Sequence, residues 1–273
     1  MSLAQRTLDT ILAADPGSLA GRARLKAAIA ARRSLVARGD PIVRHRVGPA
    51  DLLLPLSHEL PFYRKDHPLY DRAIGRIAAE AGGPVVDVGA NVGDTAASIR
   101  GHTDAPILCV EGDERYFELL ERNAPQLGDV ELERAFVEGP ARATVERGGG
   151  TARVAPGDDE LPSRPLAAIL ADHPRFAEPA LVKIDTDGMD IPIVLASLDL
   201  LARTKPVLFF EYDPHLGADP SVFERLREAG YRTMDVYENT GELASSGVDL
   251  GTDIHDEYAG HGGARYADVC AFP

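Results

Sequence analysis

The segment at residues 85–94, VVDVGANVGD, constrains the fold of this chain more than any other stretch. Its apolar first half is typical of a buried strand. Gly89 and Gly93 follow, and glycine lets a backbone turn sharply and lets a ligand approach closely. Asn91, between them, tolerates a left-handed conformation better than most residues. The segment therefore predicts a strand, a glycine loop and a helix that begins at Asp94, an arrangement that suits several nucleotide-type ligands.

Hydrophobic periodicity extends this alternation of strands and helices along the rest of the chain. Helical stripes follow most strands, for example through Ile191 and Val194 and again through Val222 and Leu226. Such alternation indicates a mostly parallel sheet that is covered on both faces. No convincing helix separates the last two strands, so we predict an α/β, Rossmann-like, doubly wound sheet with one antiparallel strand near the C-terminus. The predicted strands lie at 84–88, 107–110, 130–137, 181–184, 207–210, 231–237 and 266–272.

The beginning of the chain has a different pattern. Residues 5–38 favour helix with a break at Asp15-Pro16-Gly17, and residues 41–57 contain short extended runs that end at Pro55. We therefore predict an N-terminal helical extension over residues 1–40 and a main domain over 41–273. Within the main domain, Gly148-Gly149-Gly150 indicates a hairpin turn.

Composition argues against several classes of partner and location. The formal net charge is −14, and an acidic surface repels phosphate backbones, so we expect no nucleic-acid partner. No stretch approaches about 20 uninterrupted apolar residues, so we expect no membrane span. Cys109 and Cys270 lie in separate apolar runs and indicate reduced core thiols, not a disulfide or a metal site. With no signal-peptide pattern at the N-terminus, these features predict a cytoplasmic location and leave the oligomeric state open.

Two carboxylates near the glycine loop narrow the choice of ligand. Asp87 precedes Gly89 by two residues, where a carboxylate would repel the pyrophosphate of a dinucleotide. S-adenosylmethionine lacks phosphate and carries an ammonium and a sulfonium, so Asp87 suits its methionine end. Glu111 ends the next strand and can accept hydrogen bonds from both ribose hydroxyls. The structural alternative is that Asp87 caps a loop and Glu111 only ends a strand. The predicted cofactor-binding set is Asp87, Gly89, Ala90, Asn91, Gly93, Asp94, Glu111 and Gly112.

The sequence resembles the FkbM family of methyltransferases. The resemblance covers roughly residues 50–273 and includes, besides the glycine loop, a distinctive KIDTDG segment at 183–188. It implies a class I methyltransferase fold, S-adenosyl-L-methionine as cofactor, and O-methylation of a hydroxyl on a sugar, polyketide or related small metabolite. The usual family pattern has glutamates where this chain has Asp187 and Asp190. The other matching segments are ILCVEGDERYFELLERN at 107–123, LVKIDTDGMDIPIVLASLDLL at 181–201, PVLFFEYDP at 206–214 and ADVCAF at 267–272.

A second acidic cluster follows the fourth and fifth predicted strands. Asp185 ends one strand, Glu211 ends the next, and His215 follows shortly after. The carboxyl ends of parallel strands meet at one edge of a sheet, so these side chains should converge. Clustered carboxylates raise one another's pKa and can supply a base for a hydroxyl nucleophile. We predict Asp185, Glu211 and His215 as catalytic residues. Carboxylate oxygens also suit Mg²⁺, but no metal ligand is assigned.

Each member of this cluster has a structural interpretation as well. Asp187-Gly188 is typical of a turn, and Asp190 fits the N-cap of the following helix better than a catalytic role. Glu211 can bond a backbone amide, and His215 can be a solvated loop side chain. Lys183 can form a buried ion pair with an aspartate.

Two alternative functions stay open on the sequence alone. A nicotinamide-dependent oxidoreductase would use a similar loop, although Asp87 and the lack of a GxGxxG motif disfavour it. A non-catalytic S-adenosylmethionine-binding module would keep the loop, and the departures from the family at Asp187 and Asp190 leave room for it. Upstream, Tyr63 and His67 either contact a sulfonium by cation–π interaction or form a lid packed on the core.

Overall fold

Helices and strands alternate through most of the computed structural model, which describes residues 1–15, 17–260 and 265–273. The helices are α1 (Leu3–Leu12), α2 (Leu19–Ala37), α3 (Leu60–Asp66), α4 (Arg72–Ala81), α5 (Asp94–Arg100), α6 (Glu114–Asn123), α7 (Leu166–Asp172), α8 (Asp190–Ala196), α9 (Leu198–Thr204), α10 (Ser221–Glu228) and α11 (His255–Ala259). The strands are β1 (Ile42–Val47), β2 (Ala50–Pro55), β3 (Val85–Val88), β4 (Ile107–Val110), β5 (Val130–Glu133), β6 (Phe136–Val137), β7 (Arg142–Gly148), β8 (Thr151–Glu160), β9 (Ser163–Arg164), β10 (Leu181–Ile184), β11 (Val207–Tyr212), β12 (Thr233–Glu238), β13 (Leu243–Asp249) and β14 (Ala267–Phe272).

An eight-stranded sheet organises the fold, in the order β13-β12-β14-β11-β10-β3-β4-β5. The five strands from β11 to β5 are parallel to one another. The chain moves outward from β3 to β4 and β5, and then returns to the other side of β3 to form β10 and β11. The direction of winding therefore reverses between β3 and β10, and open sheets of this kind bind ligands beyond the carboxyl ends of the strands at such a point. The predicted doubly wound, mostly parallel sheet is confirmed.

The C-terminal end of the sheet contains the predicted antiparallel strand and one more. β14 lies between β11 and β12 and runs antiparallel to both. The additional strand is β13, which the sequence pattern did not predict and which pairs antiparallel with the other side of β12. Its residues, LASSGVD, are polar and mostly exposed, so the segment has no apolar signal of its own.

The predicted strand at 130–137 is wrong in its second half. The chain leaves the main sheet after Glu133, and β6 pairs with the two-residue β9 instead. The backbone N–H of Phe136 donates to the carbonyl of Pro162, which holds this detour in place. An apolar run does not show where a chain turns away from its sheet, and here the turn brings Phe136 to the ligand-facing edge.

Of the two N-terminal helices, α1 packs on the β1–β2 hairpin and α2 packs on α1. α1 and α2 lie on either side of the predicted break at Asp15-Pro16-Gly17. Pro16 itself lies outside the described residues. The side-chain amide of Gln5 exchanges two hydrogen bonds with the backbone of Arg44, at 3.0 and 2.8 Å. Leu8 is buried in the same apolar cluster as Val43. The boundary proposed between residues 40 and 41 stays a prediction.

Helices cover both faces of the sheet. Val86 and Leu108 face a cluster formed with helices α7 to α10, whereas Val85 and Ile107 face one formed with α4, α5, α6 and the β1–β2 hairpin. The predicted thiols Cys109 and Cys270 are buried and unpaired. In the part of the chain that the structure describes, no helix is both long enough and apolar enough to cross a bilayer.

Candidate cofactor and acceptor site

A cavity of about 260 Å³ opens at the carboxyl edge of the parallel strands. Its wall combines the glycine loop, the ends of β4, β10 and β11, the region around the start of β14, helix α3 and the tip of the β7–β8 hairpin. Among the described residues, eight carboxylates line it, and Lys183 supplies its single lysine or arginine side chain. Such a surplus of negative charge in a recessed site favours cationic ligands.

The glycine loop has the conformation that its sequence predicts. Gly89 has a φ of 82°, and a Cβ atom there would lie 1.8 Å from the carbonyl oxygen of Asp185, so only glycine fits. Asn91 adopts the predicted left-handed conformation, with a φ of 47°. At Gly93, an added Cβ would lie 2.6 Å from Leu127, so this glycine allows the loop to pack against the core.

Glu111 ties the glycine loop to the loop after β4. Its carboxylate accepts a hydrogen bond from the backbone N–H of Asn91 at 2.8 Å and another from that of Asp113 at 2.7 Å. Burial raises its pKa to about 7, although both hydrogen bonds oppose the shift. Each carboxylate oxygen has two lone pairs, so Glu111 keeps acceptor capacity for the hydroxyls of a ligand. Glu111 therefore joins two loops of the site and does not only end β4.

Lys183 and Asp87 form a buried ion pair beneath the cavity. They are opposite each other in the β10–β3 register, and Lys183 Nζ lies 3.3 Å from Asp87 Oδ1 and 3.1 Å from Asp185 Oδ2. Burial alone would lower the pKa of Lys183, but Asp185, Asp87 and Asp71 together raise it well above its usual value. Burial raises the pKa of Asp87 to about 6, against the opposing effect of Lys183.

This pairing places Asp87 away from the predicted ligand contact. Asp87 is completely buried and does not line the cavity, because Lys183 occupies the space in front of it. The structure therefore assigns Asp87 to the floor of the site and gives no support to direct contact with a cofactor. Ala90 and Gly93 also lie outside the wall. The predicted cofactor residues that do line the cavity are Gly89, Asn91, Asp94, Glu111 and Gly112.

The loop after β10 contains the predicted turn but not the predicted helix cap. Asp187 and Gly188 both have positive φ, of 52° and 117°. The N-cap of α8 is Met189, so the prediction of Asp190 as N-cap is wrong. Instead, the carboxylate of Asp190 accepts hydrogen bonds from the backbone N–H groups of Thr186 and Gly188 at 2.9 and 3.0 Å, which fixes the loop that precedes the helix.

Glu211 faces a carboxylate that the sequence analysis missed. Asp268 lies directly opposite Glu211 in the antiparallel β11–β14 register, so both side chains project from the same face of the sheet. Burial and the neighbouring carboxylates, Asp185 first among them, raise the pKa of both groups well above their usual values. Because β14 runs antiparallel, the beginning of this strand, not its end, lies at the ligand-binding edge.

Asp71 is a second carboxylate that the sequence analysis did not identify. It precedes α4 in a left-handed conformation, with a φ of 59°, and lines the cavity. Burial, then the charge of Asp94, raises its pKa to about 8. The nearest cation is Arg64, whose guanidinium lies 3.6 Å away. Nothing in the local sequence marks this position, since the helix preceding the first core strand is remote in sequence from the other acids.

The structure does not bring His215 to the acidic cluster. His215 is exposed on the turn after β11 and does not line the cavity, so it gains no support as a catalytic residue.

Upstream, Tyr63 lines the wall, packs against Tyr70 at 4.7 Å between ring centroids, and donates a hydrogen bond to the carbonyl of Asn239 at 2.6 Å. His67 packs against Tyr63 in a tilted arrangement, with 4.6 Å between ring centroids, but is not part of the wall.

The β7–β8 hairpin, which confirms the predicted turn, covers one side of the cavity. The side-chain amide of Asn91 donates to the carbonyl of Gly150 at 2.8 Å, and the N–H of Glu59 donates to that of Gly149 at 2.8 Å. Arg147 pairs with the buried Asp113 at 2.6 Å. The hairpin is therefore attached to the glycine loop itself.

Comparison with known proteins identifies the family. Residues 87–233 match the Methyltransferase FkbM domain, which is more than half of the 273-residue chain. The chain belongs to the FkbM methyltransferase family. The match spans the glycine loop, Glu111, the KIDTDG segment and Glu211, and it favours methyl transfer over the nicotinamide-dependent alternative. No curated protein sequence matches the chain.

Several solved structures are similar to this FkbM family member at low identity. A precorrin-6y C5,15-methyltransferase from Geobacter metallireducens GS-15 is 14% identical, with 74% of this chain and 85% of that chain covered and a TM-score of 0.43. A methyltransferase FkbM from Methylobacillus flagellatus KT is 13% identical, with 68% and 43% covered and a TM-score of 0.39. A putative O-methyltransferase from Klebsiella pneumoniae is 12% identical, with 89% and 96% covered and a TM-score of 0.42.

The FkbM family implies S-adenosylmethionine as cofactor, and the residues of this chain fit it. Gly89 lines the cavity, and Glu111 is a buried acceptor in the same wall with lone pairs that the protein does not use. The surplus of carboxylates in the wall complements an ammonium and a sulfonium. Among the described residues, no group of three or more His, Cys, Asp or Glu side chains is arranged to hold a metal ion.

Proposed function

We propose that this FkbM methyltransferase methylates a hydroxyl group of a small-molecule or saccharide acceptor. The observation that carries the proposal is the carboxylate of Glu211, which is only 8% exposed, lines the cavity, and receives no hydrogen bond from the described residues. The carboxylate opens onto the cavity with acceptor capacity that the protein does not use, so a ligand can donate a hydrogen bond to it. A hydroxyl group supplies such a donor.

Glu211 and Asp185 have complementary parts in this proposal. The raised pKa of Glu211, caused by burial and then by Asp185, makes its carboxylate a stronger base than an ordinary glutamate. Asp185 lies one residue beyond β10, is 37% exposed, and is oriented by Lys183 at 3.1 Å. Asp185 can therefore position the acceptor hydroxyl while Glu211 takes its proton.

The remaining residues of the site bind and orient the cofactor and the acceptor. Glu111, Asn91 and Gly112 hold the nucleoside part of the cofactor, and the β7–β8 hairpin excludes water from one side. When bound, S-adenosylmethionine supplies an electrophilic methyl group. Alignment of the acceptor oxygen with that group should provide much of the rate acceleration. We expect no nucleic-acid substrate, because the net charge of −14 opposes a phosphate backbone.

A methyl-transfer assay with a panel of hydroxylated sugars and metabolites tests the proposal. S-adenosylhomocysteine formation and product mass are the readouts. Asp185→Asn and Glu211→Gln should each lower kcat by about 10²–10⁴-fold and leave the affinity for S-adenosylhomocysteine unchanged. Glu118→Gln, at an exposed position of α6, is the matched control. A chelator should have no effect if a protein carboxylate is the base.

Two outcomes contradict the proposal. Near wild-type turnover in both carboxylate variants would assign Asp185 and Glu211 to structure alone. S-adenosylhomocysteine binding without turnover on any acceptor of the panel would instead favour the non-catalytic binding module.

A further inference from the structure

We propose that the acceptor carries a protonated amine close to its reactive hydroxyl, and that the facing carboxylates of Glu211 and Asp268 bind this ammonium group. The inference rests on the proposed function, because it names the class of acceptor for the same site. An amino alcohol or amino sugar has the required chemistry. Four steps lead to this inference: the charge of the pair, its partners, its distance from Glu111, and its aromatic surroundings.

The first step is the cross-strand pair itself. Glu211 and Asp268 are directly opposite in an antiparallel register, where like charges destabilise a sheet. Their Cβ atoms in such a pair are about 4.5–5.5 Å apart. Nothing in the strand pattern requires an acid at both positions. A cation bound between the two carboxylates turns this repulsion into a binding site.

The second step is that the protein does not neutralise the pair. Lys183 is the single lysine or arginine in the described cavity wall, and its ammonium already contacts Asp87 and Asp185. Glu211 is more than nine-tenths buried and lines the cavity, yet no described residue donates a hydrogen bond to it. The neighbouring groups Asp185, Asp187 and Asp190 are themselves acidic. Lys183 is thus not available to the pair, and a cationic ligand can supply the positive charge that the described wall lacks.

The third step separates this site from the nucleoside end of the cofactor. Glu111, which marks the nucleoside end, follows β4, and β11 and β14 lie three and four strands further along the sheet. At about 4.8 Å per strand, these distances are about 14 and 19 Å. Glu211 and Asp268 thus lie on the acceptor side of β10.

The fourth step identifies the cation as organic. Aromatic side chains line the cavity on the same side of the sheet, namely those of Tyr63, Phe209, Tyr237 and Tyr266. Tyr237 is the residue opposite Asp268 on the other neighbouring strand, and its ring lies 6.1 Å from that of Phe209. Aromatic faces attract ammonium groups by cation–π interaction, whereas Mg²⁺ keeps several of its waters and requires oxygen ligands in octahedral geometry.

Glu211 takes part in both the hydroxyl contact and the ammonium contact. The two groups of the acceptor must therefore lie near each other, as on adjacent carbon atoms. Asp268 has no part in hydroxyl activation. A substitution of Asp268 therefore tests the ammonium contact separately from the hydroxyl contact.

Binding of small organic cations to the S-adenosylhomocysteine-loaded protein tests the inference. The probes are ethanolamine against ethylene glycol, and choline against its neutral carbon isostere, measured by calorimetry or NMR titration at pH 8. We expect at least one cation to bind about tenfold or more tightly than its neutral partner, a difference of about 1.4 kcal/mol. Asp268→Asn and Glu211→Gln should each abolish this preference, and Asp158→Asn, on the exposed part of the hairpin, should not. Both cavity variants should retain their affinity for S-adenosylhomocysteine.

Three results would overturn the inference. The first is equal or absent binding of the cations and their neutral partners in the wild-type protein, which needs no variant to fold. The second is an unchanged cation preference in Asp268→Asn. The third is displacement of the cations by stoichiometric Mg²⁺, which would make the pair a metal site. Failure of the wild-type protein to bind S-adenosylhomocysteine would contradict the proposed function instead, so the two failures are distinguishable.

Discussion

The ammonium group of Lys183 lies 3.3 Å from the carboxylate of Asp87, and both side chains are almost completely buried, at 4% and 0% exposure. The pair joins the centre of β10 to the centre of β3, directly beneath the glycine loop. It fixes the floor of the cavity and holds Asp185 in place from below. Removing one partner of a buried pair leaves an uncompensated charge, which costs far more than the pair itself contributes.

Lys183→Met should therefore lower the free energy of unfolding by about 3–5 kcal/mol, because Asp87 loses its counter-charge. Combining it with Asp87→Asn should restore a large part of that loss, since the buried charge is then gone as well. Urea denaturation of the two single variants and the double variant measures the coupling. Lys26→Met, at an exposed position of α2, is the control and should have little effect. Wild-type stability in Lys183→Met would mean that the pair contributes nothing to the fold.

Glu111→Ala should weaken binding of S-adenosylhomocysteine by roughly tenfold to a hundredfold, as expected for hydrogen bonds to a charged acceptor worth about 1.5–3 kcal/mol. The structure adds a second effect, because the backbone N–H groups of Asn91 and Asp113 also lose their acceptor. A moderate drop in thermal stability should accompany the loss of affinity. Calorimetric titration and thermal denaturation separate the two, with Glu118→Ala on α6 as the control. Unchanged affinity in a folded variant would restrict Glu111 to a structural role.

The stability of the ligand-free protein should fall as the pH rises from about 6.5 to 8. Burial raises the pKa of Glu111 to about 7 and that of Asp71 to about 8, whereas the same groups in the unfolded chain ionise near pH 4. The folded state therefore holds protons that the unfolded state has released, and deprotonation favours unfolding throughout this window. His45 and His58, whose pKa values burial lowers to about 4, act in the opposite direction only below about pH 6.5.

Chemical denaturation at several pH values between 6.5 and 8 checks this prediction. The decrease should be smaller in Glu111→Gln, which removes one of the titrating groups. A saturating cationic ligand should also reduce it, because a bound cation favours the ionised carboxylates. A free energy of unfolding that rises across the window would show that these carboxylates are ionised in the folded protein.

The local signals in the sequence predicted the elements of the fold and the loop at its centre. A glycine loop after an apolar run requires positive φ at Gly89 and tolerates it at Asn91, and both residues adopt it. These features depend on residues that are adjacent in the chain, so the sequence contains them directly. The order of strands and helices follows in the same way, because the periodicity of each element reflects which of its faces is buried.

Only the tertiary structure decided which acids face the cavity. Asp87 has a prominent position in the motif, yet the register of β10 against β3 places Lys183 over it and removes it from the wall. Asp268 and Asp71 have no such prominence, but an antiparallel strand and a left-handed turn bring them into the site. Exposure and pKa depend on strand register and on neighbours that are distant in sequence. The sequence shows which carboxylates are present, and only the packing of the chain determines which of them share a cavity.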